Sequence, residues 1–293
     1  MWEKIVAFFM SVIAFFASLF GFASEDKSYE FRNISYGNHE RQVLDLNIPK
    51  ENDGEIGLVL FIHGGAWIAG DKESYKNGVK AAAEEYGFAG ASINYRFINE
   101  EVSIHNILDD IDLALKCIKQ TGEENGVKIN KVLLTGDSAG GHLSLLYAYS
   151  RYETAAITPA AVVSNSGPTD FTDESFYINN AMGDKDFVAQ LFSYASGKNF
   201  LYEDRIDAKE ALEKISPVFY VNENTVPTVI NHGMKDSIVP YSNAVTLDAE
   251  LTKCGVTHIL NSYPNSDHDL GSDEDNKSIA NKLLIEYCNT YLN

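Results

Sequence analysis

The sequence predicts an α/β protein: a mostly parallel, doubly wound sheet with helices on both faces, led by an antiparallel hairpin and carrying a helical insertion. Three observations point there. Continuous apolar runs such as Leu58-Val-Leu-Phe-Ile62 have the pattern of strands buried on both faces, as parallel sheets require. Stretches with apolar residues at helical spacing alternate with those runs. One segment, Phe171 to Ser216, holds no strand pattern and is too long for a plain connection.

In chain order, Phe31 to Tyr36 and Val43 to Ile48 alternate apolar and polar residues around Gly37-Asn38, which predicts a hairpin at a sheet edge. Leu58 to Ile62 is the first buried strand. A helix over about Lys76 to Tyr86 leads to a strand over Phe88 to Asn94. The next helix, about Ile104 to Lys119, carries Ile107, Ile111, Leu115 and Ile118 on one face and precedes the strand Val132-Leu133-Leu134. Further strands are expected at Ala160 to Val163, Pro227 to Asn231 and His258 to Tyr263. Helices are expected at about Asn243 to Lys253 and Ile279 to Tyr291. The segment 171–216, with Phe176, Tyr177, Phe187, Phe192, Tyr194, Phe200 and Tyr202, is expected to lie over the carboxyl edge of the sheet as a cap, or else to pack there for stability alone.

The chain has 293 residues, enough for one large domain with a substantial core. Its formal charge of -19 argues against a nucleic-acid partner, because phosphate backbones are bound by basic residues that release counterions. Residues 5–22 are apolar apart from Ser11, Ser18 and Gly21, behind a single Lys4 and the amino terminus. Gly21 and Ala23 supply small residues for cleavage before Ser24, so residues 1–23 are expected to be a signal peptide of an exported protein. An uncleaved membrane anchor is the alternative, since the stretch is just long enough to span a bilayer; contact with a membrane is expected only in that case. The remainder, 24–293, is expected to be the folded domain. Cys117, Cys254 and Cys288 are odd in number and show no C-x-x-C spacing, so neither a disulfide framework nor a zinc site follows.

The chemistry centres on Leu134 to His142. Gly136-Asp137-Ser138-Ala139-Gly140 fits Gly-x-Ser-x-Gly, directly after a buried strand and directly before a helix opened by Leu143, Leu145 and Leu146. That context makes a nucleophile elbow: Ser138 stands at a strained corner, and small neighbours let strand and helix cross closely.

A serine hydroxyl needs a base to take its proton and a third group to orient that base. Downstream of the elbow, Asp236 lies just past one core strand and His268 just past the next, both on the edge where Ser138 emerges. Of the seven histidines, His39 and His105 precede the elbow, His258 begins a strand, and His142 follows the serine by one helical turn. His232, at a strand end, is the rival base. Asp267 and Asp269 flank His268 and are poorly placed to orient its ring, whereas Asp236 comes from a separate loop; its alternative role is a helix cap.

Asp273, Glu274 and Asp275 suit the acidic first turn of the last helix. With Asp267 and Asp269 they lack calcium-loop spacing, and no metal or cofactor is expected. In His63-Gly64-Gly65-Ala66-Trp67 the glycines leave room for inward-pointing amides, so Gly64 and Gly65, with the amide of Ala139, are the expected oxyanion donors.

Read together, His63-Gly-Gly-Ala-Trp67, Asn94-Tyr-Arg96, Gly136-Asp-Ser-Ala-Gly-Gly141, Ser166-Gly-Pro-Thr-Asp170, Gly233-Met-Lys-Asp236 and Asp267-His268 resemble the α/β-hydrolase superfamily, specifically its hormone-sensitive-lipase-like and feruloyl- and acetyl-esterase-like carboxylesterases. The resemblance runs through almost all of the chain after residue 23. It implies an α/β-hydrolase fold, with Ser138 as nucleophile, Asp236 as acid, His268 as base and Gly64, Gly65 and Ala139 as oxyanion donors. One departure is Asp269, where members commonly have glycine after the histidine; a carboxylate there bears on loop shape and on the imidazole's pKa.

The expected activity is ester hydrolysis through an acyl-enzyme. By resemblance, the substrates are short or aromatic acyl esters of small alcohols or plant-derived oligosaccharides. An amidase or exopeptidase on the same three residues, and a silent binding protein on this scaffold, are the alternatives. Nothing in the sequence sets the oligomeric state.

Overall fold

The computed structural model describes residues 27–178 and 180–293. The expected signal or anchor, residues 1–23, lies outside them. Eight strands of the described chain join in one sheet: β1 (Ser28–Ser35), β2 (Val43–Pro49), β3 (Glu55–Ile62), β4 (Ala89–Ile93), β5 (Lys128–Asp137), β6 (Thr158–Asn165), β7 (Thr228–Gly233) and β8 (His258–Tyr263). Their order across the sheet is β1-β2-β4-β3-β5-β6-β7-β8. β1 with β2 and β2 with β4 are antiparallel, and every pairing from β4 to β8 is parallel. The hairpin therefore forms one edge, and β3 and β5, which carry the glycine loop and the elbow, are neighbours at its centre.

Among the described residues seven α-helices accompany the sheet: α1 (Lys76–Glu84), α2 (Ile104–Glu124), α3 (Ala139–Ser150), α4 (Lys185–Ser196), α5 (Lys209–Glu213), α6 (Tyr241–Lys253) and α7 (Glu274–Tyr291). Alternation of side chains along each strand divides the core in two. Leu58, Leu60 and Ile62 of β3 pack toward α2, α3, α6 and the segment 171–216, while Val59 and Phe61 pack with Val79 of α1 and Leu283, Tyr287 and Cys288 of α7. α3 is buried along nearly its whole length, which explains its uninterrupted apolar sequence from Leu143 to Tyr149 apart from Ser144.

Several elements exceed their predicted bounds. β5 begins at Lys128, four residues before the apolar run, because exposed Lys128 still pairs with Glu55 of β3 and exposed Lys131 with Thr158 of β6. α2 continues to Glu124, and α7 starts at Glu274, so Glu274 and Asp275 form its acidic first turn as expected, while Asp273 stands just before it and accepts from Asn265 and Ser266. β7 runs through His232 to Gly233, which puts His232 inside the sheet.

Residues 171–216 contain α4, α5 and two short 3-10 turns, with no strand among the described residues. Their aromatics are core: Phe171, Phe176 and Phe192 are buried and meet ring to ring at 4.9–6.2 Å. Phe171 in turn lies 5.6 Å from Trp67 and 5.0 Å from His142, so the segment is seated on the glycine loop and the first turn of α3.

Candidate active site

At the end of β5 the chain reverses into α3 within one residue. Ser138 bears that reversal with φ 52° and ψ -118°, a conformation that a side-chain-bearing residue adopts only when its surroundings enforce it. The enforcement is close packing. A Cβ on Gly136 would stand 2.3 Å from the Ile62 carbonyl oxygen, and one on Gly140 only 1.9 Å from it. Two bare residues are the condition for β3, β5 and α3 to meet here.

The glycine loop follows β3 beside the elbow. A Cβ on Gly64 would lie 2.7 Å from the Asp137 carbonyl oxygen and 3.4 Å from the Ser138 Cβ, so this backbone passes against the serine with nothing between them. The loop's own hydrogen bonds run from the Ile68 and Ala69 amides to the Gly65 carbonyl, each 3.0 Å, and do not use the Gly64 and Gly65 amides. Ala66 and Trp67 both have positive φ, at 50° and 61°. The turn is held by Trp67, whose indole N–H donates to His142 Nδ1 at 3.2 Å. The Nε2–H of His142 then donates to the Ile215 carbonyl at 2.7 Å. Burial pushes the His142 imidazole down to about 4, which keeps it neutral for both roles.

The loops after β7 and β8 bring the other two residues together. His268 Nδ1 donates to Asp236 Oδ2 at 2.8 Å. The Asp236 carboxylate also accepts from the Ile238 and Val239 amides, at 2.9 and 2.8 Å on Oδ1, and lies 3.3 Å from Nε2 of His232 on Oδ2. Burial alone would raise its pKa; the His268 charge and the bonds from His232 and His268 outweigh that and hold it well below the usual carboxylate range. Burial by itself would lower His268, but the Asp236 charge and hydrogen bond, with lesser help from Asp267 and Asp137, raise it above its ordinary value.

Since a carboxylate only accepts, Nδ1 carries the proton and Nε2 presents a lone pair. That Nε2 is buried and makes no hydrogen bond to any described residue, Ser138 included. The two parts meet through backbone. Ser166 Oγ donates to the His268 carbonyl at 3.0 Å, and the Ser138 amide donates at 2.7 Å to the carbonyl of Asn165, the residue before Ser166.

The structure thus brings Asp236 and His268 into contact, puts Gly64 against Ser138, and places Ala139 as the first residue of α3, where helix amides are free. His232, the rival base, is buried inside β7 and shares its Nε2–H between the Val239 carbonyl at 3.0 Å and the Asp236 carboxylate, its Nδ1 making no hydrogen bond to any described residue. Asp267 accepts from the amide and hydroxyl of Ser237, and Asp269 from the Gly271 amide. Asp269 turns its carboxylate into its own loop, and the charges acting on His268 come from Asp236, Asp267 and Asp137. Sequence reasoning missed the partnership of His232 with Asp236 and the span of His142 to residue 215. Neither leaves a spacing signal, because each depends on loops that meet only in the fold.

Ser138 borders a cavity of about 20 Å³ lined by Ala66, Trp67, Pro168 and the apolar side chains of Phe176, Met182, Phe192, Ile238 and Val239. That is room for about one water. Larger grooves of about 730 and 990 Å³, near Asn293 and along α4, do not touch Ser138.

Sheet order, elbow, glycine loop and the placement of the two later loops define an α/β-hydrolase fold. The chain belongs to the BD-FAE family, whose model matches residues 44–251. It is 27% identical over 224 residues to Esterase LipC of Mycobacterium tuberculosis, a match covering 73% of this chain and 53% of LipC; the chain spans about half the length of that relative. Among solved structures, it superposes on Esterase B from Lactobacillus rhamnosis with a TM-score of 0.75 at 20% identity, covering 98% and 95% of the two chains. A truncated carbohydrate esterase from gut microbiota gives 0.72 at 22%, covering 91% and 99%.

Proposed function

We propose that the protein is a serine carboxylesterase that hydrolyses esters of short or aromatic acyl groups through an acyl-enzyme. Ser138 is the nucleophile, His268 the base, Asp236 the acid that orients it, and the amides of Gly64, Gly65 and Ala139 the oxyanion donors. The observation that carries this reading is the His268–Asp236 hydrogen bond of 2.8 Å with the opposite ring nitrogen left unpaired, on the sheet edge where Ser138 sits at its strained turn. Membership of the BD-FAE family and the esterase names of the similar proteins support the same class.

As substrate binds, the serine hydroxyl turns to Nε2, which takes its proton as Oγ attacks the ester carbonyl. The carbonyl oxygen becomes negative beside the glycine loop and the start of α3, where amides compensate it. His268 then gives its proton to the departing alcohol, and water repeats the sequence on the acyl-enzyme. The 20 Å³ cavity favours the shortest acyl groups, because anything beyond a methyl has to displace Phe176, Met182 or Phe192. These residues belong to segment 171–216, which acts as the cap. A small alcohol or a plant-derived oligosaccharide is the proposed alcohol, and residues 1–23 direct export.

The test compares wild type with Ser138→Ala on p-nitrophenyl acetate, butyrate and octanoate, alongside acetylated and feruloylated xylo-oligosaccharides and aminoacyl-nitroanilides. Labelling by a fluorophosphonate at Ser138 and fastest turnover of acetate support the reading. Undiminished hydrolysis by Ser138→Ala ends it.

A further inference from the structure

Three asparagines stand in a row at the carboxyl edge of the sheet, on the face covered by α7, and a fourth on α7 continues the row. Asp137, Asn165 and Asn231 are register partners across β5, β6 and β7, and Asn231 pairs with Asn261 of β8. Their side chains bond in series. Asn276 Nδ2, on α7, donates to Asn261 Oδ1 at 2.8 Å; Asn261 donates to Asn231 at 2.9 Å; Asn231 donates to Asn165 at 2.8 Å; and Asn165 donates to Asp137 Oδ1 at 2.9 Å. On the other side, the Tyr75 hydroxyl donates to Asp137 Oδ2.

The direction of the series is fixed at both ends. Asp137 can only accept, so Asn165 must present its NH2 to it, and each amide behind must follow. At the far end Asn276 Nδ2 also donates to the Ser262 carbonyl at 2.9 Å, which again can only accept. Every amide dipole therefore turns its positive end toward Asp137, the residue immediately before Ser138. Aligned hydrogen bonds of this kind polarise one another.

We propose that Asn276, Asn261, Asn231 and Asn165 form a one-way carboxamide ladder that holds the buried Asp137 carboxylate ionised and oriented. Asp137 thereby acts as a positioning residue, a further anion beside Asp236 and Asp267 whose field acts on His268. This rests on the reading of His268 as the base. The groups facing His268 are Asp236 from the β7–α6 loop, Asp267 from its own loop and Asp137 from β5, with His232 acting through Asp236; those facing Asp137 are Tyr75, Asn165 and His268. Burial raises the Asp137 carboxyl to about 6 even with the bonds from Tyr75 and Asn165, so weakening the ladder leaves it protonated nearer neutral pH.

The experiment follows the His268 ring by NMR across pH, its signal assigned by its loss in His268→Gln, in the whole protein without substrate. Asp137→Asn, equal in shape and uncharged, is expected to lower the His268 midpoint by about half a pH unit. Asn261→Leu, three bonds away from Asp137, is expected to lower it in the same direction by less. The double variant is expected to match Asp137→Asn, since the ladder acts only through that carboxylate.

Tyr75→Phe removes the other donor and reads the same effect if Asp137→Asn does not fold. An unmoved midpoint in Asn261→Leu, or shifts that add in the double variant, overturns the ladder. Because the titration needs no turnover, it fails separately from the esterase reading, which Ser138→Ala decides.

Discussion

Replacing Asp236 by asparagine tests the site at the bond on which it turns. Asp236 Oδ1 accepts two backbone amides, from Ile238 and Val239, and Oδ2 accepts from His268 and faces His232. Asparagine has one oxygen, and the two amides, which can only donate, claim it. The NH2 group is left at the Oδ2 position, facing His268 Nδ1. To meet it the imidazole has to accept there and carry its proton on Nε2, the nitrogen that should receive the serine proton.

The variant keeps the shape of the loop and supplies the wrong tautomer. From the corresponding change in another serine hydrolase the loss in kcat is about 10⁴-fold, equivalent to about 5.5 kcal/mol of transition-state stabilisation. Initial rates on p-nitrophenyl acetate measure it, with near-ultraviolet circular dichroism as the control for folding. An Asp236→Asn enzyme within about tenfold of wild type would refute the assignment of Asp236.

Three further outcomes follow from the geometry. Because Asp236, Asp267 and Asp137 raise the His268 pKa, and the base acts only when neutral, kcat/KM is expected to fall with decreasing pH through a midpoint above the 6.5 of a free imidazole; a midpoint below it contradicts the electrostatics. Gly140→Ala puts a methyl 1.9 Å from the Ile62 carbonyl oxygen and is expected to destabilise the fold by about 3 kcal/mol or more, read as a lowered thermal midpoint. Phe192→Ala is expected to cost about 3–5 kcal/mol of stability while raising the rate on octanoate relative to acetate, since the ring closes the cavity beside Ser138. Unchanged chain-length preference in a folded Phe192→Ala protein removes the cavity from the account of specificity.

Much of this molecule is local information. The apolar run Leu58 to Ile62, the helical spacing of Ile107, Ile111, Leu115 and Ile118, and glycines on either side of Ser138 each name their own structure, because burial and chain sterics act within a few residues. Chain order then put Asp236 and His268 on the edge where the serine emerges, as parallel strands in sequence must end on the same side. Element ends were less legible: Lys128 and Lys131 extend β5 by pairing with neighbouring strands, which their polarity does not announce.

What the tertiary structure alone decided is the pairing of polar groups. His232 and His268 both reach Asp236 and each leaves its other ring nitrogen without a partner; only the fold shows that the first, inside β7, shares its Nε2–H with the Val239 carbonyl, while the second meets the carboxylate through Nδ1 at 2.8 Å from the loop after β8. His142 proved to be a tie between Trp67 and residue 215, and the asparagines at 165, 231, 261 and 276, unremarkable along the chain, form a directed row that runs from α7 across the sheet. The physical reason is range. Hydrophobic periodicity is written into neighbouring residues, whereas a hydrogen bond between groups tens of residues apart depends on the register and loop paths that bring them within 3 Å.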